Sequence, residues 1–318
     1  MARWHDPGMR VITAAPVAPY LKADDGPRPS VRVGLVQHRW HPSRDDLIAE
    51  LSDGIAAAVG EGAQAVFLPE LTLSRYPADV RASGVPKQDA EELLGGPTYA
   101  FAVEQARRHG VVVHASLYER PVPDDAPEDP RGYNTAIAVD PTGAMIGRTR
   151  KTHIPITAGY YEDTYFRPGP AVDPYPVYDV ASLGVRLGLP TCWDEWFPEV
   201  ARAYGIAGAD ILAYPTAIGS EPDFPDFDTA PLWQKVIVAN GITSGLFMVV
   251  PNRWGDEGSL TFYGTSFISD PFGRVLVEAP RDESVALVAD LDLRSRTEWL
   301  ELFPFFTTRR PDTYGALL

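Results

Sequence analysis

The residue best suited to covalent chemistry is Cys192, the only cysteine in the chain. A lone thiol cannot form an internal disulfide and excludes a two-cysteine zinc or redox motif, so the side chain is either reactive or an inert buried group. It lies in Leu189-Pro-Thr-Cys-Trp-Asp-Glu-Trp-Phe-Pro-Glu199, where an apolar stretch gives way to carboxylates and aromatic rings. These surroundings favour a reactive thiol.

Two charged residues could activate such a thiol. Glu70 follows the apolar run Val66-Phe-Leu-Pro69, and Lys151 follows Gly147-Arg-Thr-Arg150. Both positions, like that of Cys192, are ends of predicted strands, where α/β folds place their sites. A free thiol is mostly protonated at neutral pH, so a nucleophilic cysteine needs a base or a nearby cation. Each charge alone is typical of a solvated surface, but together a carboxylate and an ammonium would meet both needs.

Short apolar runs alternate with segments of helical spacing along the chain. After a predicted strand at Val31–Gln37, apolar residues recur every four positions, as on the inner face of a helix, at Leu47, Leu51, Ile55 and Val59. Further strands are predicted at residues 65–68, 111–117, 185–191 and 211–214, and helices at residues 90–109 and 197–206. This alternation predicts an α/β fold with buried sheets.

Two sequence patterns recur at identical internal spacing. A Tyr-x-Thr triplet followed by an apolar run and Asp-Pro-x-Gly begins at Tyr133 and again at Tyr263. A Gly-Ala pair followed five residues later by proline begins at Gly62 and again at Gly208. Two such coincidences in the same order predict an internal repeat, with two similar α/β halves forming one domain.

Composition narrows the class of protein. The chain has 318 residues, of which 45% are apolar, and a formal net charge of −15. That charge disfavours binding to a nucleic-acid backbone, and no apolar run approaches the roughly 18 residues of a membrane-spanning helix. We therefore expect a cytoplasmic protein without nucleic-acid or membrane partners. Residues 1–30 are proline-rich and are expected to be an arm or a disordered leader, and residues 31–318 a single domain.

Three motifs carry a resemblance to a known family. Phe67-Leu-Pro-Glu-Leu71, Arg150-Lys-Thr-His-Ile-Pro155 and Cys192-Trp-Asp-Glu-Trp-Phe-Pro-Glu199 resemble the catalytic motifs of the nitrilase superfamily of carbon–nitrogen hydrolases, in the family's order. The resemblance extends from Val31 to the C-terminus. It implies a four-layer αββα sandwich with an internal pseudo-twofold repeat. It also implies a homo-oligomer with the tail, about residues 295–318, at an interface.

The resemblance also implies an active site. Glu70, Lys151 and Cys192 match the Glu-Lys-Cys triad, and Glu119 falls where many members carry a second glutamate that positions the lysine and substrate. The expected substrate contacts are Trp193, Glu195 and Thr216. No metal and no organic cofactor is expected.

The chemistry then follows from the residue types. Glu70 would take the thiol proton, and the thiolate would attack an amide or carbamoyl carbon. Lys151 and the backbone N–H of Trp193 would stabilise the oxyanion. Ammonia would leave first, and water would hydrolyse the remaining thioester-level acyl-enzyme.

Within the superfamily the sequence is most similar to the N-carbamoylputrescine amidase branch, through Gly159-Tyr-Tyr-Glu162 and Tyr214-Pro-Thr-Ala-Ile-Gly-Ser-Glu-Pro222. Asp194 and Glu195, which follow the cysteine, favour a cationic substrate. The alternatives are a β-ureidopropionase-like enzyme, an aliphatic amidase, a nitrilase, or a non-catalytic scaffold with the same fold.

Overall fold

The computed structural model describes residues 8–19, 29–122, 125 and 127–317. Within these residues the chain forms fifteen β-strands and five α-helices. The strands are β1 (Arg10–Thr13), β2 (Ser30–Arg39), β3 (Ala65–Phe67), β4 (Val112–Glu119), β5 (Tyr133–Val139), β6 (Met145–Arg150), β7 (Val177–Val180), β8 (Val185–Gly188), β9 (Ile211–Ala213), β10 (Phe247–Val250), β11 (Arg253–Glu257), β12 (Leu260–Tyr263), β13 (Phe267–Ser269), β14 (Val275–Glu278) and β15 (Val285–Asp292). The helices are α1 (Arg44–Gly60), α2 (Pro97–His109), α3 (Pro198–Ile206), α4 (Ala230–Ser244) and α5 (Arg294–Leu302).

The strands form two mixed sheets that face each other. The first has the order β1-β15-β2-β3-β4-β5-β6, with β11 and β12 joined to β2, and the second has the order β14-β13-β10-β9-β8-β7. Apolar residues of both sheets, including Leu35 and Phe247, share one buried cluster between them. Helices α1 and α2 cover the outer face of the first sheet, and α3 and α4 cover that of the second. This is the expected αββα sandwich.

The internal repeat is visible in the strand pairing. In the first sheet β2, β3 and β4 pair in parallel, and β5 and β6 then add as an antiparallel hairpin. In the second sheet β8, β9 and β10 pair in parallel, and β13 and β14 follow in the same way. The recurring glycines occupy equivalent positions in the two halves. Gly62 follows α1 and Gly208 follows α3, with φ of 88° and 86°. Only glycine adopts this left-handed geometry without steric cost.

Two predicted elements have different boundaries. The helix expected at residues 90–109 begins only at Pro97, because Gly95 and Gly96 precede it and proline is favoured in the first turn of a helix. The strand expected at residues 185–191 ends at Gly188, since Pro190 has no N–H to donate to a neighbouring strand. The remaining residues lead into a short 3₁₀ turn at Cys192–Trp196.

The segment before Val31, expected as an arm or a disordered leader, contains β1, which pairs in parallel with β15 at the edge of the first sheet. Residues 1–7 and 20–28 lie outside the described residues, and the division into leader and domain stays a prediction. Across the described ranges, none of the helices has the length and apolar character needed to cross a membrane.

Candidate active site

The three residues of the expected triad meet at the carboxyl ends of strands. Glu70 lies three residues after β3, Lys151 directly follows β6, and Cys192 opens the 3₁₀ turn after β8. All three residues are buried: the exposed fraction is 0% for Glu70, 1% for Lys151 and 5% for Cys192. Charged groups are rarely buried without partners, so their contacts define the chemistry of the site.

The Lys151 ammonium lies between two carboxylates. Its Nζ is 2.9 Å from Glu70 Oε1, and 2.9 and 2.7 Å from Oε1 and Oε2 of Glu162. Burial alone lowers the pKa of Lys151, but the charges of Glu162 and Glu70 raise it well above its usual value. The lysine is therefore a permanent cation at neutral pH.

Glu70 presents one occupied and one free oxygen. Oε1 accepts hydrogen bonds from Lys151 and from Asn134 Nδ2 at 2.6 Å, whereas Oε2 is buried and has no hydrogen-bond partner among the described residues. The backbone N–H of Glu70 donates to the carbonyl of Thr216, 3.4 Å away, which ties the two halves of the repeat together. A carboxylate held this way can take a proton on its free oxygen.

Cys192 has a backbone conformation that is unusual outside glycine, with φ of 40°. Its N–H donates to the carbonyl of Pro215 at 3.0 Å, and Thr191 and Asp194 form a capping box around it. Burial raises the pKa of the Cys192 thiol, the Glu70 carboxylate raises it further, and the Lys151 ammonium lowers it. The thiol therefore keeps its proton at rest and needs a base to become a nucleophile.

Glu119 is not where the sequence led us to expect it. Its carboxylate pairs with Arg148 at 2.9 Å and with Arg150 at 2.7 Å, and it accepts a hydrogen bond from Thr135. Successive residues of a strand point to opposite faces. Arg148 and Arg150 therefore share the face of β6 that meets Glu119, and Lys151 points the other way. The expectation that Glu119 positions the lysine is wrong.

The carboxylate that holds Lys151 is Glu162, which the sequence reasoning did not single out as a site residue. It is fully buried, and besides the lysine it accepts a hydrogen bond from Tyr76 Oη at 2.8 Å. Burial raises the pKa of Glu162 to about 7, although the neighbouring ammonium lowers it. Its only signal in the sequence was its place in Gly159-Tyr-Tyr-Glu162, eleven residues after Lys151.

A cavity of about 190 Å³ opens onto the thiol. Its walls come from residues 155–162, 192–196 and 217–229, and include Trp193, Trp196, Tyr160 and Glu221. Ligand pockets for drug-sized molecules are commonly about 300–1,000 Å³. The cavity therefore suits a small substrate.

Two of the three expected substrate contacts are turned away from this cavity. The carboxylate of Glu195 is fully buried, accepts a hydrogen bond from Trp233 Nε1 and lies 3.4 Å from Thr216 Oγ1. Thr216 also donates to the carbonyl of Tyr214. Burial raises the pKa of the Glu195 carboxyl well above its usual value, although the hydrogen bond from Trp233 lowers it. Neither Glu195 nor Thr216 is among the residues that line the cavity, so their contact with substrate stays a prediction, whereas Trp193 lines the cavity.

The neighbouring Asp194 is also committed to the protein. Its carboxylate accepts hydrogen bonds from the backbone N–H groups of Thr191 at 3.1 Å and His153 at 2.9 Å. The acidic pair after the cysteine therefore stabilises the turn that carries the thiol. It does not present charge to a substrate.

Comparison with known proteins identifies the family. Residues 32–301 match the family described as carbon-nitrogen hydrolase. The chain belongs to this family. The hydrolase is 32% identical to the citrullinase of Francisella tularensis, with 91% of this chain and 98% of that protein covered. It is also 32% identical to the N-carbamoylputrescine amidase of Arabidopsis thaliana, with coverage of 92% and 97%.

Solved structures agree on the fold of the hydrolase. A carbon-nitrogen hydrolase from Helicobacter pylori superposes with a TM-score of 0.81 at 30% identity, covering 91% of this chain and 98% of that one. An amidase from Nesterenkonia superposes with a TM-score of 0.71 at 26% identity, covering 93% and 100%. A variant of that amidase carries the acetamide moiety of fluoroacetamide covalently bound at its active-site cysteine. The present chain is thus a carbon-nitrogen hydrolase with the nitrilase fold.

Proposed function

We propose that this hydrolase acts on a small N-carbamoyl amine whose far end carries a positive charge. The observation that carries the proposal is Glu221, a carboxylate in the wall of the same cavity as Cys192. Glu162, the other carboxylate of the described cavity wall, is already paired with Lys151. Glu221 is therefore the acidic group available to a ligand.

The proposed mechanism uses the free oxygen of Glu70. That oxygen takes the proton of Cys192, and the thiolate attacks the carbamoyl carbon. The oxyanion that forms is stabilised by Lys151 and by the N–H of Trp193, which lies in the first turn of the 3₁₀ segment. The single cysteine of the chain leaves Cys192 as the candidate nucleophile.

Proton transfers through Glu70 complete the proposed cycle. Glu70 returns its proton to the leaving nitrogen, the C–N bond breaks, and ammonia departs. Glu70 then removes a proton from water, which attacks the acyl-enzyme and frees the thiol. With an N-carbamoyl amine the product is a carbamate, which loses carbon dioxide to give the free amine.

The surroundings of Glu221 support a cationic ligand. Among the described residues its carboxylate accepts a side-chain hydrogen bond from the hydroxyl of Thr229, at a long 3.5 Å, and burial raises the pKa of its carboxyl. No lysine, arginine or histidine lies among the described residues of the cavity wall. An ammonium group on the substrate would supply the missing counter-charge through a charge-assisted hydrogen bond.

A second candidate is citrulline, because one relative is a citrullinase that aligns over nearly its whole length. Citrulline carries both an ammonium and a carboxylate at the end distant from its carbamoyl group. The carboxylate would enter a wall that offers it no basic side chain in the described structure. The same objection applies more strongly to N-carbamoyl-β-alanine, the substrate of a β-ureidopropionase-like enzyme.

Ammonia release from a panel of compounds tests the proposal. The panel holds N-carbamoylputrescine, citrulline, N-carbamoyl-β-alanine, an aliphatic amide and a nitrile. A charge-assisted contact contributes about 1.5–3 kcal/mol, so kcat/KM for N-carbamoylputrescine should exceed that for N-carbamoyl-β-alanine by roughly tenfold or more. A higher kcat/KM for citrulline would favour the second candidate, and equal values for the cationic and anionic compounds would refute a role for charge.

A pair of variants separates the role of Glu221 from the charge of its loop. Glu221→Gln should lower kcat/KM for N-carbamoylputrescine by about tenfold or more and leave that for the aliphatic amide within about threefold. Asp223→Asn is the matched control, since Asp223 is exposed on the same loop and is not part of the cavity wall. If both variants lose the same activity, the general charge of the loop is responsible and Glu221 is not the contact.

We also propose that the tail forms part of a homo-oligomer interface. Trp299 of α5 donates a hydrogen bond to the carbonyl of Ile242 in α4, which fixes the start of the tail on its own chain. Leu302 and Phe303 then remain 52% and 46% exposed. In light scattering, the double variant Leu302→Asp, Phe303→Asp should have a lower particle mass than the wild-type protein.

A cytoplasmic location stays a prediction of the sequence.

A further inference from the structure

A buried arginine lies behind the active site. Arg253, at the start of β11, is fully buried, and its Nη1 is 2.8 Å from both carboxylate oxygens of Glu257. Glu257 is 2% exposed. A buried ion pair often gives no net stability over well-packed apolar residues. Stability alone therefore does not explain why a buried ion pair is present at this place. The other contacts of Arg253 and Glu257 indicate a different role.

The other end of the guanidinium holds the chain next to the catalytic base. Nη2 of Arg253 donates to the carbonyl oxygens of Glu70, Leu71 and Ser74 at 2.9, 3.2 and 3.0 Å. Leu71 has a φ of 50°, in the left-handed region that an L-residue adopts only at a cost. The arginine therefore stabilises a strained turn whose first residue is Glu70.

The same ion pair reaches the carboxylate on the other side of Lys151. Glu257 Oε2 accepts a hydrogen bond from the backbone N–H of Tyr76 at 2.9 Å, and the hydroxyl of Tyr76 donates to Glu162 at 2.8 Å. Glu162 binds Lys151, which binds Glu70. The contacts close a ring through Arg253, Glu257, Tyr76, Glu162, Lys151 and Glu70, which we call the Arg253 ring.

We propose that Arg253 is a positioning residue for catalysis, which sets the place of Glu70 relative to Lys151 and Cys192 through the Arg253 ring. Arg253 does not belong to the cavity wall, so it acts through other groups and does not touch substrate. This role needs the several N–H donors of a guanidinium, because the one group donates to a carboxylate and to three carbonyl oxygens at once. The proposal rests on the family's hydrolytic activity and is independent of which carbamoyl compound or amide is the substrate.

The decisive variant is Arg253→Lys, which keeps the positive charge and loses the planar set of N–H donors. A displacement of about 1 Å at a reacting group can lower a rate about 10²-fold. We expect kcat to fall by about 10- to 100-fold and KM to change by less than about threefold, because the cavity wall is intact. Kinetics are measured on whichever compound of the panel releases ammonia fastest, and kcat is expressed per thiol that iodoacetamide can titrate in the folded protein.

A second readout does not depend on any substrate. Iodoacetamide reacts with the thiolate form of Cys192, whose formation requires the nearby base. The rate constant for alkylation at neutral pH should therefore fall in Arg253→Lys by about tenfold. The control is Arg32→Lys on β2. Arg32 donates to both carboxylate oxygens of Asp290 at the protein surface, and β11 pairs with β2 at its other end, at His38 and Arg39. The control variant should leave kcat and the alkylation rate unchanged.

Glu257→Gln keeps the experiment decisive if Arg253→Lys does not fold. The amide keeps an acceptor for the N–H of Tyr76 and removes the charge that orients the guanidinium, so the same loss of kcat at constant KM is expected in milder form, about 3- to 10-fold. A lower melting temperature with wild-type kcat per titrated thiol and a wild-type alkylation rate would show a purely structural role and overturn the proposal. A rise in KM at constant kcat would also overturn it.

Discussion

Glu162 and Glu119 offer a direct comparison of two carboxylates that compete for one role. Both are buried glutamates paired with basic groups of the β6 region, but Glu162 binds Lys151 and Glu119 binds Arg148 and Arg150. Replacing each with glutamine changes one atom type and almost no volume. The pair of variants therefore tests which carboxylate belongs to the active site.

Glu162→Gln should lower kcat strongly. The amide cannot hold the ammonium through both oxygens as the carboxylate does at 2.9 and 2.7 Å, and its NH₂ group would face a cation. Loss of a hydrogen bond between charged groups costs about 1.5–3 kcal/mol, which corresponds to roughly 10- to 150-fold in kcat. Ammonia release under saturating substrate measures this loss directly.

Glu119→Gln should affect stability and leave catalysis in place. Arg150 is only 14% exposed and loses the nearer of its two carboxylate partners, Asp125 being the other, so the free energy of unfolding should fall by about 1–2 kcal/mol. The value of kcat should stay within about threefold of wild type, because Glu119 has no contact with the triad. If Glu119→Gln instead loses activity to the same extent as Glu162→Gln, the assignment of Glu162 is refuted.

Three further predictions concern single residues. Cys192→Ala should lower kcat by at least about 10³-fold with an unchanged circular dichroism spectrum, and retention of a tenth of the activity would exclude Cys192 as nucleophile. Glu195→Gln should leave substrate preference within about threefold, because this buried group bonds Trp233 and does not line the cavity; a large change would mean that it contacts the substrate. Burial lowers the pKa of His114 to about 3 from 6.5, so the unfolded chain binds the proton first and stability is lost as the pH falls below 6.5. At pH 5.5 this loss is about 1.4 kcal/mol. The free energy of unfolding should therefore differ between pH 7.5 and 5.5 by that much less in His114→Leu than in the wild-type protein. The same dependence of unfolding free energy on pH in both proteins would contradict the argument.

The sequence was sufficient for the fold and for the choice of three candidate catalytic residues. Alternating apolar runs and helical spacing predict α/β layers, and the recurring glycines fall where α1 and α3 end in both halves. The family motifs singled out Glu70, Lys151 and Cys192, and each of these residues follows a strand: β3 and β6 of the first sheet and β8 of the second. These inferences depend on the order of residues along one element.

The second carboxylate and the substrate-facing charge depended on contacts between elements. Arg150 and Lys151 are consecutive residues, but alternation along the strand turns Arg150 toward Glu119 and Lys151 toward Glu162. Glu195 follows the nucleophile in sequence, but α4 supplies Trp233 and Asn240, which draw it into the protein.

Family resemblance thus indicated Glu119 and proximity to the cysteine indicated Glu195, whereas Glu162 begins a short 3₁₀ turn and Glu221 lies in a loop. The sequence by itself determined which residue types could do the chemistry and which strand ends carry them. Only the tertiary structure decided which acidic side chains reach the lysine and the cavity, because side-chain contacts across sheets and loops depend on distances that no single segment encodes.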